Sequence, residues 1–275
     1  MMGRMFARLA DDRAGRGLGG RWTARIALGG AASLRAVVLG LVVVALAFTG
    51  CGGGGSTKGT RTEPGTAAGA PGAAVTFSST GDVTLSGRLF GTGPDGVVLA
   101  HMYPADQTSW FPYAERLAAA GYRVLTFDFR GYGTSTGGKD IAKIDQDVEA
   151  AVRKVKAEGA QRVALVGASM GGTASLIAAG RVPVVGVATL SAPVEFMGLD
   201  ARSAVPQVSA PKLFLAAEKD VGAAGARELD RLAAPPKTLV LYPGSDHGTA
   251  LLTGSNGIAV ADRITSFLQS AFSRP

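Results

Sequence analysis

The apolar positions of this chain follow two different periods, and the alternation between them predicts strands separated by helices. Short apolar runs such as 163–166 are typical of strands buried on both faces of a sheet. The segment 140–155 instead carries apolar residues at spacings of 3, 4, 4 and 3, which predicts an amphipathic helix. Parallel strands need long crossover connections, so this alternation indicates a mostly parallel sheet with helices on both faces.

Eight strands are predicted, and the first two are expected to form an antiparallel pair. They are 75–77, 83–90, 97–100, 124–127, 163–166, 184–190, 212–216 and 238–242. Three more helices are predicted around Trp110, Tyr113 and Leu117, over 173–179, and around Val260 to Phe272.

The segment 36–48 contains thirteen apolar residues after an arginine-rich lead, too few to span a bilayer comfortably. It fits the apolar core of a signal peptide. The residues that follow, Phe48-Thr49-Gly50-Cys51, resemble the bacterial lipobox, although Phe48 replaces the usual Leu. That resemblance implies that Cys51 carries a lipid and that residues 1–50 are a lipoprotein-type signal peptide. An uncleaved anchor, or a chance cysteine after an ordinary signal, remain the alternatives.

Residues 51–73 begin with the lipidated cysteine and are rich in Gly, Pro, Thr and Ala. This composition predicts a flexible tether. Residues 74–275 have the composition of a globular domain. We therefore expect an exported protein, held by a lipid at the extracytoplasmic face of the cell membrane.

The net charge of +7 does not indicate a nucleic-acid partner. Residues 1–50 hold seven arginines against two aspartates, which leaves only +2 for the rest of the chain. No basic cluster with interleaved aromatic residues is present there. The single cysteine excludes an intramolecular disulfide.

The strand 163–166 leads into Gly167-Ala168-Ser169-Met170-Gly171 and then into helix-forming residues. A serine between a strand and a helix must adopt a strained backbone, and small neighbours two residues away permit it. Ser169 is therefore the candidate nucleophile.

A serine hydroxyl needs a base to take its proton, and the chain has two histidines, His101 and His247. We assign the base to His247, which follows the strand 238–242 at the sheet edge where Ser169 is expected. Asp220, just beyond the strand 212–216, is the expected carboxylate partner. Glu218 and Asp246 are the competing carboxylates.

Five segments of the chain together resemble the α/β-hydrolase superfamily. They are 97–103, 124–135, 167–171, Lys219-Asp220 and Asp246-His247-Gly248. The order Ser, Asp, His also matches that superfamily. The resemblance implies an oxyanion hole formed by the backbone N–H groups of Met170 and Tyr103, with no cofactor or metal. Met102 stands where the family usually has Gly.

We expect His101, Asp128, Arg130 and Ser135 to fix the loops that contain them and not to take part in the chemistry. Only about twenty residues separate the strands ending near 190 and starting at 212, so we expect at most a minimal cap over the site. Candidate lining residues are Tyr103, Trp110, Met170, Phe196 and Met197.

The resulting hypothesis is a serine hydrolase that cleaves a carboxylic ester or related acyl bond of a small molecule through an acyl-serine intermediate. The resemblance is to small, lidless members of the dienelactone-hydrolase-like and peptidase-like groups. The alternatives are a serine peptidase for small substrates and a non-catalytic binding protein with this fold.

We predict that Cys51→Ala abolishes lipid modification, because the lipid is attached through the thiol. Metabolic labelling with a fatty-acid analogue in a bacterial host measures this directly. Persistent labelling of the variant would refute the assignment of Cys51.

Overall fold

The computed structural model describes residues 71–274 of the chain. The expected signal peptide, Cys51 and nearly all of the expected tether lie outside these residues. The first strand begins at Ala73, one residue before the start of the globular domain expected from composition.

Ten strands are present in the described residues, and eight of them form one sheet. The strands are β1 (Ala73–Ser78), β2 (Thr84–Phe90), β3 (Asp95–Ala100), β4 (Arg123–Phe127), β5 (Arg162–Ala168), β6 (Gly186–Leu190), β7 (Glu195–Phe196), β8 (Leu199–Asp200), β9 (Lys212–Ala217) and β10 (Lys237–Tyr242). The eight strands of the large sheet are those predicted from the sequence, with small shifts at their ends.

The large sheet has the order β1-β2-β4-β3-β5-β6-β9-β10. Strands β1 and β2 run antiparallel to their neighbours, whereas the pairs from β4 to β10 are parallel. The chain moves outward from β3 to β4 and then returns to β5 on the other side of β3. This reversal creates a crevice at the carboxyl ends of β3 and β5, where α/β sheets usually bind their ligands.

Five α-helices of the described region cover the sheet: α1 (Phe111–Ala119), α2 (Ile144–Ala157), α3 (Met170–Ala179), α4 (Gly222–Leu232) and α5 (Gly257–Phe272). Side chains of α2, α3 and α4 belong to one apolar core, and those of α1 and α5 to a second core. Alternate residues of β3 enter the two cores, with Val98 in the first and Val97 in the second. The sheet is therefore covered on both faces.

Helix α2 confirms the strongest periodic prediction, because Ile144, Val148, Val152 and Val155 are all buried along it. Ile141 is also buried, but it lies in a 3-10 turn that precedes the helix. Helix α4 was not predicted. It buries Ala223, Ala226 and Leu229, and two of these side chains are too small to stand out as an apolar stripe.

The segment between β6 and β9 contains the hairpin β7–β8 and a 3-10 turn at Val205–Gln207. The two turn residues of the hairpin, Met197 and Gly198, both have positive φ, as a tight type I′ turn requires. This short segment is the minimal cap that its length predicted. Within residues 71–274, no helix has the length and apolarity needed to cross a bilayer.

A buried ion pair joins the loop after β4 to helix α2. Arg130 and Asp147 have side chains that are 5% and 0% exposed, with Nη2 2.6 Å from Oδ1. Asp147 also accepts hydrogen bonds from the Arg130 backbone N–H at 3.0 Å and from Ser79 Oγ at 2.6 Å. The hydrogen bonds from the Arg130 guanidinium to Asp147 raise the pKa of Arg130. The loop is thereby held in place by charge-assisted bonds on several sides.

We predict that Arg130→Ala lowers the free energy of unfolding by about 3–5 kcal/mol, because it leaves the Asp147 carboxylate buried without its counter-charge. Urea denaturation followed by circular dichroism measures the change. Arg231→Gln is the control, since Arg231 pairs with Glu228 on the solvent-exposed surface and its loss should change little. A loss of less than about 1 kcal/mol for Arg130→Ala would contradict the prediction.

Candidate active site

Ser169 occupies the single-residue turn between β5 and α3. It has φ 48° and ψ −119°, a conformation that non-glycine residues rarely adopt. Such residues are estimated to carry about 1–3 kcal/mol of strain and persist only when their surroundings hold them there. The strand, the turn and the helix are those expected for a nucleophile elbow.

Two glycines permit the close packing of this turn. A Cβ atom at Gly167 would overlap the carbonyl of Gly171, on the other side of the turn. A Cβ atom at Gly171 would lie 2.5 Å from the carbonyl oxygens of both Ala100 and His101. The turn at Ser169 therefore packs directly against the end of β3.

His247 and Asp220 are in direct contact, with Nδ1 2.8 Å from Oδ1. They follow the neighbouring parallel strands β10 and β9, in which Tyr242 pairs with Ala217, so both loops leave the sheet at the same edge. The carboxylate side chain is 2% exposed and the imidazole 35%. A ring that donates Nδ1–H to the carboxylate keeps Nε2 free to accept a proton.

Neither competing carboxylate takes this position. Glu218 is exposed, and its backbone N–H donates to the carbonyl of Tyr242. The Asp246 carboxylate points toward Gly254, where a Cβ atom would overlap its Oδ2. Asp220 is therefore the carboxylate that contacts His247.

The loop containing His247 also lies against the end of β5. A Cβ atom at Gly248 would be 3.5 Å from that of Ala168, the residue before Ser169. Within residues 71–274, however, no hydrogen bond joins the Ser169 hydroxyl to His247. The structure thus brings the two loops together without closing the contact, which in ligand-free enzymes often tightens only when substrate binds.

The expected oxyanion donors are Met170 and Tyr103. Met170 is the first residue of α3, where backbone N–H groups have no intrahelical partner. In the described part of the chain, neither backbone N–H donates a hydrogen bond. The side chain of Met102, the residue before Tyr103, packs against the loop that contains His247, with Sδ 3.8 Å from Thr249 Oγ1.

His101 is fully buried, and both of its ring nitrogens are engaged. Nδ1 lies 2.9 Å from the carbonyl of Met102, and Nε2 accepts the N–H of Phe129 at 3.1 Å. Burial lowers the pKa of His101 and favours the neutral ring. This side chain braces the loop, as the sequence predicted.

Asp128 and Ser135 have similar bracing contacts. Asp128 accepts the backbone and side-chain N–H groups of Gln107 at 2.9 and 2.8 Å. Ser135 donates to the Asp128 carbonyl and accepts the N–H of Ser86. With the Arg130–Asp147 pair, these contacts hold the loop after β4 in one conformation.

The predicted lining is partly wrong. Trp110 and Met170 are fully buried in the two cores, because each lies at the start of a helix that packs on the sheet. Tyr103 and Met197 are 45% and 64% exposed, and the Tyr103 ring lies 5.9 Å from that of Phe196. The exposed apolar surface of this region comes from the loop after β3 and the β7–β8 hairpin.

Sequence reasoning missed Ser191, which directly follows β6. Its Oγ accepts the N–H of Gly248, the residue after His247, at 3.0 Å. Ser191 is fully buried and has φ 58°. A serine after an apolar strand belongs to no recognised motif, so no sequence signal identified it.

Comparison with known proteins agrees with this architecture. A model described as "Alpha/beta hydrolase family" matches residues 97–214, which include Ser169 and end before Asp220 and His247. An esterase from Pyrococcus furiosus superposes with a TM-score of 0.63 at 19% identity, over 72% of this chain and 90% of that one. The chain has the α/β-hydrolase fold.

Two further proteins are similar to this chain, one in structure and one in sequence. The enol-lactonase from Burkholderia xenovorans superposes with a TM-score of 0.61 at 18% identity, covering 71% of this chain and 100% of that one. A Synechocystis protein, named as a candidate non-heme chloroperoxidase, is 37% identical over 78 residues. That match spans only 27% of each protein.

We predict that Asp220→Asn slows the reaction of Ser169 with a fluorophosphonate by roughly 10²–10⁴-fold, because the amide no longer holds His247 as an effective base. Glu218→Gln is the matched control and should react at the rate of the unmodified chain, since Glu218 is exposed. The measurement is the second-order inactivation rate. The reverse result, a slow Glu218→Gln and an unaffected Asp220→Asn, would assign the acid to Glu218.

Proposed function

We propose that this protein is a serine hydrolase of the α/β-hydrolase family that cleaves a carboxylic ester or a related acyl bond. The observation that carries the proposal is the buried Asp220 carboxylate, which contacts His247 in a loop packed beside the turn of Ser169. An alcohol on a strained turn, beside an oriented imidazole, is the arrangement that acyl transfer requires.

In this mechanism, Nε2 of His247 takes the hydroxyl proton as Ser169 Oγ attacks the carbonyl carbon of the substrate. The N–H groups of Met170 and Tyr103 then stabilise the negative charge on the carbonyl oxygen. His247 returns the proton to the leaving alcohol, and an acyl-Ser169 ester remains. Water, deprotonated by the same imidazole, attacks that ester and releases the acid and the free serine.

Asp220 stabilises the imidazolium that forms in both steps, while remaining ionised. Its side chain is nearly inaccessible to solvent, which strengthens its attraction to the charged ring relative to an exposed pair. The imidazole is about one third exposed, so a leaving alcohol and a water molecule can both reach it.

The minimal cap supports a small or accessible acyl substrate over a long buried lipid. Only the β7–β8 hairpin and a single 3-10 turn stand where a helical cap would be inserted. The similar structures named as esterases and as an enol-lactonase suggest ester and lactone substrates for the first assays.

We further propose that the enzyme is exported and tethered to the membrane through a lipid on Cys51, with residues 51–73 as spacer. The apolar segment 36–48 and the lipobox-like sequence support this location. A tethered domain would act on small molecules that reach the extracytoplasmic surface.

We predict that a fluorophosphonate probe labels the full-length chain and that Ser169→Ala abolishes both this labelling and the hydrolysis of short-chain p-nitrophenyl esters. The alanine side chain provides no nucleophile, whereas the fold should be preserved. In-gel fluorescence and absorbance at the nitrophenolate band measure the two effects, and circular dichroism checks the fold.

Two other outcomes would change the assignment. Absence of labelling and of hydrolysis in the unmodified chain would support the non-catalytic binding protein. Labelling with cleavage of aminoacyl p-nitroanilides, but not of esters, would support the small-substrate peptidase.

A further inference from the structure

Ser191 lies where the three loops of the proposed catalytic site meet. It follows β6, between the turn that carries Ser169 and the loop that carries Asp220. It is fully buried, and its φ of 58° is unusual for a residue with a side chain. A buried polar residue held in such a conformation indicates that the surrounding contacts fix it there.

Each of the three loops contacts Ser191 or its neighbour Leu190. The carbonyl of Leu190 accepts the N–H of Ser169 at 2.8 Å. A Cβ atom at Gly222, two residues after Asp220, would be 2.6 Å from the carbonyl oxygen of Ser191. The hydroxyl of Ser191 accepts the N–H of Gly248 at 3.0 Å. Two consecutive residues therefore connect the nucleophile, acid and base loops.

The contact with Gly248 bears directly on the base. The N–H of Gly248 belongs to the peptide group that follows His247, so a bond to this N–H fixes the orientation of the backbone carrying the imidazole. Gly248 itself has φ 57°, and its position is also limited by Met102 and Ala168. The hydroxyl provides a directional restraint that this packing alone does not.

The carboxylate holds the imidazole through one oxygen only. Asp220 Oδ1 contacts His247, whereas Oδ2 is buried and has no hydrogen-bond partner among the described residues. A single contact leaves the ring free to pivot about it. A second restraint on the adjacent peptide group would restrict that motion.

We propose that Ser191 is a positioning residue, whose hydroxyl fixes the His247–Gly248 peptide and so aims the imidazole at Ser169. The inference rests on the proposed hydrolase function for its kinetic consequences. The structural part of the proposal, that Ser191 determines the environment of the His247 ring, does not require the protein to be an active hydrolase.

The test compares Ser191→Ala and Ser191→Gly with Thr189→Val. Both Ser191 variants remove the hydroxyl. Glycine adopts positive φ without strain, so Ser191→Gly replaces Ser191→Ala in the test if the alanine variant folds poorly. Thr189 lies in β6, two residues before Ser191, and its buried hydroxyl has no hydrogen-bond partner among the described residues. Thr189→Val therefore removes a hydroxyl without removing a restraint.

For both Ser191 variants we expect kcat for ester hydrolysis to fall by about 10- to 100-fold with KM nearly unchanged, because a misaligned base affects the reaction more than substrate binding. Thr189→Val should retain the wild-type values. Thermal denaturation separates these effects from partial unfolding.

Nuclear magnetic resonance of the histidine rings tests the geometry without relying on activity. The chain has only two histidines, and His101 is buried elsewhere. The ring resonances of His247 should change in the Ser191 variants and not in Thr189→Val. Unchanged His247 resonances would overturn the proposal. An inactive wild-type protein with changed resonances would refute the hydrolase function and retain the positioning role.

Discussion

The backbone conformation of Ser169 is the constraint on which the rest of the site depends. A serine with positive φ is unfavourable in isolation, so the neighbouring elements must hold it in place. They do so through close backbone approaches, in which Gly167 and Gly171 bring α3 against the end of β3. The same approach places Gly171, the residue after Met170, against the backbone of Ala100 and His101, which precede the loop that contains Tyr103. A larger residue at Gly167 would overlap the start of α3, and one at Gly171 would overlap the end of β3.

The two buried carboxylates, Asp147 and Asp220, differ in how fully their oxygens are hydrogen-bonded. Asp147 is inaccessible and is satisfied by Arg130 and Ser79, so it serves as a fixed anchor for the loop after β4. Asp220 is almost equally inaccessible, but one of its oxygens has no hydrogen-bond partner within residues 71–274. The first arrangement favours stability. The second leaves the carboxylate interacting mainly with one ring whose charge would change during the reaction.

Local patterns predicted the sheet and the position of the candidate site, but not the details that depend on packing between distant residues. The spacing of apolar residues in α2 and the apolar run before Ser169 are properties of consecutive residues, so the sequence contains them directly. The pairing of Asp220 with His247 was expected from their positions after successive strands, and the structure places them in contact. Helix α4 was missed because its buried face consists largely of alanine. The burial of Trp110 and the contact of Ser191 with Gly248 depend on the folded arrangement of separate loops.

The proposed base is carried by a strand at the border of the sheet. Strand β10 is the last in the described order, and most of its residues are only partly buried, whereas β9 beside it is buried throughout. Elements with few buried contacts open at lower free energy than the core. Separation of β10 from β9 would part His247 from Asp220 while β5 and Ser169 stayed intact. On heating, the proposed activity would therefore be lost in a transition that precedes cooperative melting.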